Sequence, residues 1–247
     1  NNHEKKVFFK SNVKIIYSYI ELIRFLINCP RKLIIHSSGF LPDLLLSTIH
    51  KFFFIKVVPI TTLRNIPWED YPLFYGLIGY LFACLHILFI WQFNIICCSK
   101  SVYKSMNNLL LYSNKIFFVD NACVNNIYPY NFEKKIYPKD RIKLISLSPL
   151  IPRKKIKELI NLLDLIEYNY ELDIYGDGLL SEEIMYICKK KRKINFKGYK
   201  DVNLINLNNY DAIISLSLSE GLSNSVIELI VNGKYAILSK IPSHIYL

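Results

Sequence analysis

The chain has 247 residues, 52% apolar and 21% charged, so a buried core is available and wholesale disorder is excluded. Eight Gly and 10 Pro exclude collagen-like or low-complexity character. Lys and Arg total 31 against 20 Asp and Glu, and the net charge of +11 attracts polyanions: nucleic acid, anionic lipid or phosphorylated ligands.

In chain order, short apolar runs alternate with longer amphipathic ones. Strands are predicted at Lys32–His36, Ile55–Ile60, Ile95–Ser99 and Lys115–Val119. Helices are predicted at Leu41–Phe53, Leu73–Trp91 and Ser101–Leu111. Tyr128 to Arg141 has no clear period and reads as a connector, with a hinge near 130–141. The alternation then restarts. Strands are predicted at Ile142–Ser148, Tyr170–Tyr175, Ile194–Phe196, Ala212–Leu218 and Tyr235–Leu238. Helices are predicted at Lys155–Ile166, Ser181–Lys190 and Ser225–Asn232. This is an α/β pattern of two doubly wound domains, 1–135 and 136–247.

Tyr71 to Ser99 holds no Asp, Glu, Lys or Arg. A run that long is a candidate membrane span. His86, Gln92 and Asn94 interrupt it, which favours a core helix followed by a buried strand. The cysteines at 29, 84, 97, 98, 123 and 188 form no C-x-x-C pair and fit a reduced compartment. The chain opens on Asn1 without a signal peptide and reads as a trimmed piece, short at both ends.

Ligands of doubly wound sheets bind beyond the carboxyl ends of the strands. Gly176-Asp177-Gly178 follows a strand, and its glycines suit either a tight turn or a close backbone approach to a ligand. Pro152-Arg153-Lys154 opens a helix, where cations oppose the dipole unless an anion sits between them. Lys189 to Lys193 is all basic and closes a helix; a solvated helix end is favoured over an anionic membrane, and nucleic acid is the weakest reading. Ser219-Glu220-Gly221 and the following Leu222, Ser223 and Asn224 join a strand to a helix, with Glu228 eight residues past Glu220. Ser225-x-x-Glu228 fits a capping box. Glu220 after a buried strand needs exposure or a partner.

The chain here resembles the family 4 glycosyltransferases of GT-B fold. The likeness rests on Glu220-Gly-Leu-Ser-Asn-Ser-Val-Ile-Glu228, Gly233 to Ser239, Ile174-Tyr-Gly-Asp-Gly178, Phe196-Lys-Gly-Tyr199 and Ile151-Pro-Arg-Lys154. It is looser over Ile35-His36-Ser-Ser-Gly39 and Asn121-Ala-Cys-Val124. It implies a retaining transferase without a metal held by Asp-x-Asp, a motif the chain lacks. It implies two Rossmann-like domains, an incomplete acceptor-side one first and the donor-binding one second.

By resemblance, Glu228 holds the donor ribose and Glu220 the transferred sugar. Lys154 neutralises the departing diphosphate, aided by N–H groups of Leu222, Ser223 and Asn224. Gly176, Asp177 and Gly221 belong to the donor side, and His36 and Gly39 to the acceptor side. Two positions depart from the family's pattern: Pro149 stands where an Arg is usual, and Arg64 stands where a His is usual. Arg153 is the candidate replacement for the first, and Arg64 supplies positive charge on the acceptor side.

The expected partners are a nucleotide-sugar donor, as substrate with no separate cofactor, and a saccharide or lipid-linked acceptor. An anionic membrane surface is a further partner; nucleic acid is not. The implied setting is surface polysaccharide synthesis in the cytoplasm, peripheral on the inner face of the membrane. The alternatives are a non-catalytic nucleotide-sugar-binding module and a membrane protein spanning through 71–99.

Overall fold

The computed structural model describes residues 19–28, 33–52, 57–109, 115–121 and 140–247. The first half contains α1 (Tyr19–Ile27), β1 (Leu33–Ser37), α2 (Phe40–Phe52), β2 (Val57–Leu63), α3 (Pro67–Tyr75), α4 (Leu77–Ile90), β3 (Asn94–Cys97), α5 (Lys100–Leu109) and β4 (Ile116–Phe118). Its four strands are parallel in the order β1-β2-β3-β4. The second half contains β5 (Ile142–Leu147), α6 (Ile156–Asp164), β6 (Tyr170–Tyr175), α7 (Ser181–Lys189), β7 (Ile194–Gly198), β8 (Ala212–Ser215), α8 (Asn224–Val231), β9 (Tyr235–Leu238) and α9 (Pro242–Tyr246). Its five parallel strands run β7-β6-β5-β8-β9. Strand order therefore reverses between β5 and β8, and that switch point opens a crevice beyond their carboxyl ends.

The central strands β5 and β8 of the second sheet are covered on both faces, and β8 reads as an apolar run. Successive residues of β5 point to opposite sides. Leu144 packs on one face with Ile156, Leu159 and Ile160 of α6 and Ile184 of α7. Ile145 packs on the other with Val226 and Leu229 of α8. Each such side chain contributes about 1.5–3 kcal/mol when fully buried. In the first half, Leu46, Leu63, Ile90, Phe93, Ile95, Val102 and Met106 form the core between α2, α4, α5 and the sheet.

The single helix expected over Leu73–Trp91 is instead two. Gly76 has φ 58, a left-handed conformation that ends α3 and starts α4. Gly79 lets the hairpin close: a Cβ there would lie 2.4 Å from the Tyr71 carbonyl oxygen. No helix among the described residues is long and apolar enough to cross a membrane. The stretch 71–99 is a helical hairpin followed by β3, which pairs with β2 and β4, so the reading of a span through it is overturned. The other expected elements lie within a few residues of their places, β8 stops at Ser215, short of Leu218, and α1 and α9 were not expected. Most of the expected connector, the division at 135/136 and residues 122–124 lie outside the described residues.

The C-terminal helix crosses back to the first half. Tyr246 Oη donates to Asp120 Oδ2 at 2.8 Å, and Lys100 Nζ sits 5.9 Å from the Tyr246 ring centroid.

Candidate active site

The loop after β8 carries Ser217, Ser219, Glu220 and Gly221, all buried. Glu220 is only 7% exposed, and its Oε1 lies 2.6 Å from Lys154 Nζ. The Ser217 hydroxyl donates to the same oxygen. His244 Nε2 of α9 is 3.9 Å away. The partner that Glu220 needs is thus Lys154, from a single 3₁₀ turn over Pro152–Lys154. Lys155 follows at φ 53, and this left-handed residue turns the chain into α6.

The electrostatics follow from burial. Desolvation pushes Glu220 up, but the Lys154 ammonium and the two side-chain hydrogen bonds outweigh it and hold the carboxyl below its ordinary range. Burial lowers Lys154 despite its pairing with Glu220. Burial also lowers His244, against a hydrogen bond from its ring to the Ser239 carbonyl and the Glu220 charge.

The same loop docks on the first half. A Cβ on Gly221 would meet the Arg64 carbonyl oxygen at 1.5 Å. Gly221 N–H donates to Asn65 Oδ1 at 3.0 Å, and Ser219 Oγ donates to Glu69 Oε2 at 3.1 Å. Asn121 Nδ2 reaches Asn224 Oδ1 at 3.0 Å. Arg153 is turned the same way. Its Nε lies 3.1 Å from Asp70 Oδ1, and its Nη1 donates to the Ser219 carbonyl. Arg153 thus joins the two halves and is not on the wall of the donor-side cavity described next, against its expected place in the donor loop.

That cavity, of about 480 Å³, lies at the switch point between the ends of β5 and β6 and the start of α8. Gly176, Asp177, Asn224 and Glu228 are on its wall, with Pro149 at one side. Lys154, Glu220, Gly221, Leu222 and Ser223 lie off it, at the junction of the halves or toward the start of α8. The glycines of Gly176-Asp177-Gly178 answer to packing. A Cβ on Gly176 would sit 1.9 Å from the Ser148 carbonyl oxygen, and one on Gly178 2.7 Å from that of Leu150. Asp177 accepts from Gly178 N–H and from Ser181 Oγ, and these bonds lower its pKa.

The expected capping box does not form. Ser223 is the cap residue of α8, without a side-chain cap bond, and Ser225 and Glu228 lie inside the helix. The boundary falls two residues earlier than the motif implies. Glu228 therefore faces the cavity, where burial and the nearby Asp201 raise its pKa.

A second cavity, of about 280 Å³, lies on the first half between β1, β2 and the α3–α4 hairpin. Gly39 and Arg64 line it, and His36 braces it from behind, its Nε2 2.7 Å from Thr62 Oγ1. Gly39 has φ 98, so the turn from β1 into α2 favours glycine. The sequence reading missed Asp70, Tyr71 and His86 as its wall residues and His244 beside Glu220.

The basic run 189–193 is spent locally. Lys190 lies 4.1 Å over the Tyr186 ring, Lys191 pairs with Asp164, and Lys193 lies 5.0 Å over the Tyr170 ring. It is a helix end with internal partners. Among the described residues, no group of three His, Cys, Asp or Glu is placed to hold a metal ion.

Residues 129–245 match the family model of glycosyl transferases, group 1. The chain is 28% identical over 221 residues to the O-antigen biosynthesis glycosyltransferase WclY of Escherichia coli. That match covers 85% of this chain and 61% of WclY, so the chain spans about three-fifths of that relative. Anabaena HepE in complex with UDP-glucose matches with a TM-score of 0.71 at 14% identity, over 92% of this chain and 64% of HepE. A mutant of S. aureus TarM, in complex with UDP among other ligands, matches with a TM-score of 0.62 at 18% identity, over 79% of this chain and 40% of TarM. These structures share the two-domain GT-B fold with this chain.

Proposed function

We propose that the chain transfers a sugar from a nucleotide-sugar donor to a saccharide or lipid-linked acceptor in surface polysaccharide synthesis, with retention and without a metal. The observation that carries this reading is the placement of Glu220 and Glu228. Glu228 stands on the switch-point cavity, where a nucleotide's ribose hydroxyls have a carboxylate to meet. Glu220 stands at the junction with the first half, held by Lys154. A diphosphate between them takes Lys154 as its counter-charge, and Asn224 and the N–H groups of Leu222 and Ser223 lie at the start of α8 to receive it. The acceptor enters from the first half, at the cavity of Gly39 and Arg64 near His36.

A lipid-linked acceptor and a cytoplasmic, membrane-peripheral setting are supported by the outer face of α4. Leu77, Ile78, Leu81 and Leu88 are 87%, 62%, 59% and 60% exposed there. The net charge of +11 adds attraction to an anionic surface.

UDP is the first probe, because HepE and TarM are solved with UDP or a UDP-sugar. Glu228→Gln is expected to weaken binding of bare UDP, and Glu220→Gln to leave it nearly unchanged while sugar transfer drops. Equal weakening of UDP binding by both would refute the two roles. A non-catalytic nucleotide-sugar-binding module is the second reading, favoured by Pro149 on the cavity wall and by the internal partners of Arg153. Single-turnover transfer separates the two.

A further inference from the structure

The first-half cavity ends on a buried polar chain. Asp43 of α2 is fully buried and accepts three hydrogen bonds. Ser37 Oγ donates to its Oδ1, Thr61 Oγ1 to its Oδ2 at 2.9 Å, and His86 Nε2 lies 2.7 Å from the same Oδ2. On the other side of the ring, His86 Nδ1 lies 2.7 Å from the Tyr71 hydroxyl. His86 is 2% exposed, and both Tyr71 and His86 reach the cavity wall.

The proton positions follow from this pattern. A carboxylate that already accepts from two hydroxyls takes a third donor, so Nε2 carries the imidazole hydrogen. In the neutral ring Nδ1 is then an acceptor, and it takes the Tyr71 proton. The phenol oxygen keeps its lone pairs for a donor in the cavity. The geometry is held by packing. The Tyr71 and His86 rings stack at 5.7 Å, and Phe40 meets them edge-on at 6.1 and 5.6 Å.

The wall of the cavity is linked to the proposed reaction centre. Asp70 on its wall pairs with Arg153, which in turn holds the Ser219 carbonyl beside Glu220. An apolar ring edge from Phe40 beside Asn65 and Asp70 suits a polyhydroxylated ring, with C–H groups on one face and hydroxyls at the rim.

Resting on the transferase reading above, we propose that Tyr71 takes the proton of the acceptor saccharide's attacking hydroxyl, with His86 and Asp43 as the positioning residues behind it. The acceptor O–H proton passes to Tyr71 Oη as the phenol's own proton passes to His86 Nδ1. The ring becomes an imidazolium facing the Asp43 carboxylate. The acceptor oxygen bonds to the anomeric carbon, and the bond to the diphosphate breaks with its electron pair leaving on the diphosphate. When product departs, Nδ1 returns its proton through Tyr71 to water. Burial, then the Asp43 charge, then Asp70 and Tyr75 raise the Tyr71 pKa, which favours the phenol over the phenolate. The groups facing this chain are Asp43 on α2, Asp70 and Tyr75 on α3, and Arg64 at the cavity rim.

The test is ring nitrogen NMR of the full chain labelled with 15N-histidine. The expected His86 is the Nε2–H tautomer, with an Nδ1 signal that moves in Tyr71→Phe. Methyl glycosides of glucose, galactose and N-acetylglucosamine are the probes, and at least one is expected to move the Nδ1 signal in the wild type but not in Tyr71→Phe. An Nδ1–H tautomer, or a signal unmoved by every glycoside in a chain that still binds UDP, overturns the relay and leaves the donor-site reading standing. A chain that binds neither UDP nor any glycoside overturns both. With UDP-sugar turnover as the readout, Tyr71→Phe and His86→Gln are each expected to lower kcat by ~10²–10⁴-fold with UDP affinity kept. A change confined to KM overturns the proton step. Tyr71→Phe keeps its ring in the Phe40 cluster; if it does not fold, the wild-type tautomer and His86→Gln decide the matter.

Discussion

The pair of Lys154 and Glu220 gives the sharpest stability prediction. Both side chains are buried, with Nζ and Oε1 2.6 Å apart. Removing either charge strands the other, and breaking a buried pair in this way costs about 3–5 kcal/mol. A separate limit comes from proton release. A stranded lysine escapes its charge by giving up its proton, which at pH 7, from an ordinary pKa of 10.5, costs about 5 kcal/mol. Glu220→Gln keeps an amide oxygen near Lys154, so its loss should lie near 3 kcal/mol, the low end of that range. Lys154→Met strands the Glu220 carboxylate and is expected to cost a similar ~3 kcal/mol. The double variant removes both charges and should be much less unstable than the two losses added, with a coupling of ~2–3 kcal/mol. Circular dichroism during urea unfolding measures all four members. pH supplies an independent check. Glu220 has a folded pKa below its unfolded 4.5, so the unfolded state binds more protons in the window between the two. Its stabilisation is complete above that window and is lost as pH falls through the folded value. Glu220→Gln should lack this part of the acid dependence. Additive single losses, with coupling under ~0.5 kcal/mol, or an unchanged acid limb in Glu220→Gln, would refute the reasoning.

Three further outcomes are expected. Gly221→Ala places a Cβ 1.5 Å from the Arg64 carbonyl oxygen and should cost ~1–3 kcal/mol by forcing the two halves apart, visible as a lower Tm; an unchanged Tm would show that the halves do not meet there. Transfer from a UDP-sugar should survive EDTA, and full loss restored by manganese would count against the metal-free reading. Sedimentation with anionic vesicles should fall with salt, since each basic residue near the surface contributes about 1 kcal/mol; undiminished binding at high salt would assign it to the apolar face of α4 instead.

The alternation of strands and helices was legible because both faces of the second sheet are covered. Burial on both sides makes a central strand an apolar run, as in Ala212–Ile214, and the run lengths and turn residues then separate strand from helix. The helix break at Gly76 was not legible. An apolar run without charges gives no period to interrupt, and a glycine in it signals a reversal only once Gly79 is seen against the Tyr71 carbonyl. The capping box failed for a related reason. Ser223, Ser225 and Asn224 are all good cap residues, and the sequence pattern chose the wrong one. On the candidate site, the spacing of Glu220 and Glu228 drew attention to the loop after β8. It could not bring in Glu69, whose carboxylate meets Ser219 from 150 positions away. Nor could it place His86 against Asp43, 43 positions apart. His86 did carry one signal, as the sole ionisable nitrogen base in a run free of charged residues.

The long-range contacts change what the local motifs mean. Three groups that a diphosphate would use or pass already have oxygen partners inside the protein. Lys154 has Glu220, Arg153 has Asp70 and the Ser219 carbonyl, and Gly221 N–H has Asn65. Two of these four partners, Asn65 and Asp70, come from the loop and helix after β2, so the first half supplies part of the charge balance of the second half's site. An arriving diphosphate therefore does not meet bare cations. It exchanges one set of charge-assisted hydrogen bonds for another, and its affinity is the difference between the two sets rather than the strength of either. Lys154 and Arg153 can lie this close together at the junction because one is matched by Glu220 and the other by Asp70. The match also explains why Gly221 has no side chain. The Arg64 backbone lies where a Cβ would be, and that close approach keeps Asn65 and Asp70 within reach of their partners across the junction.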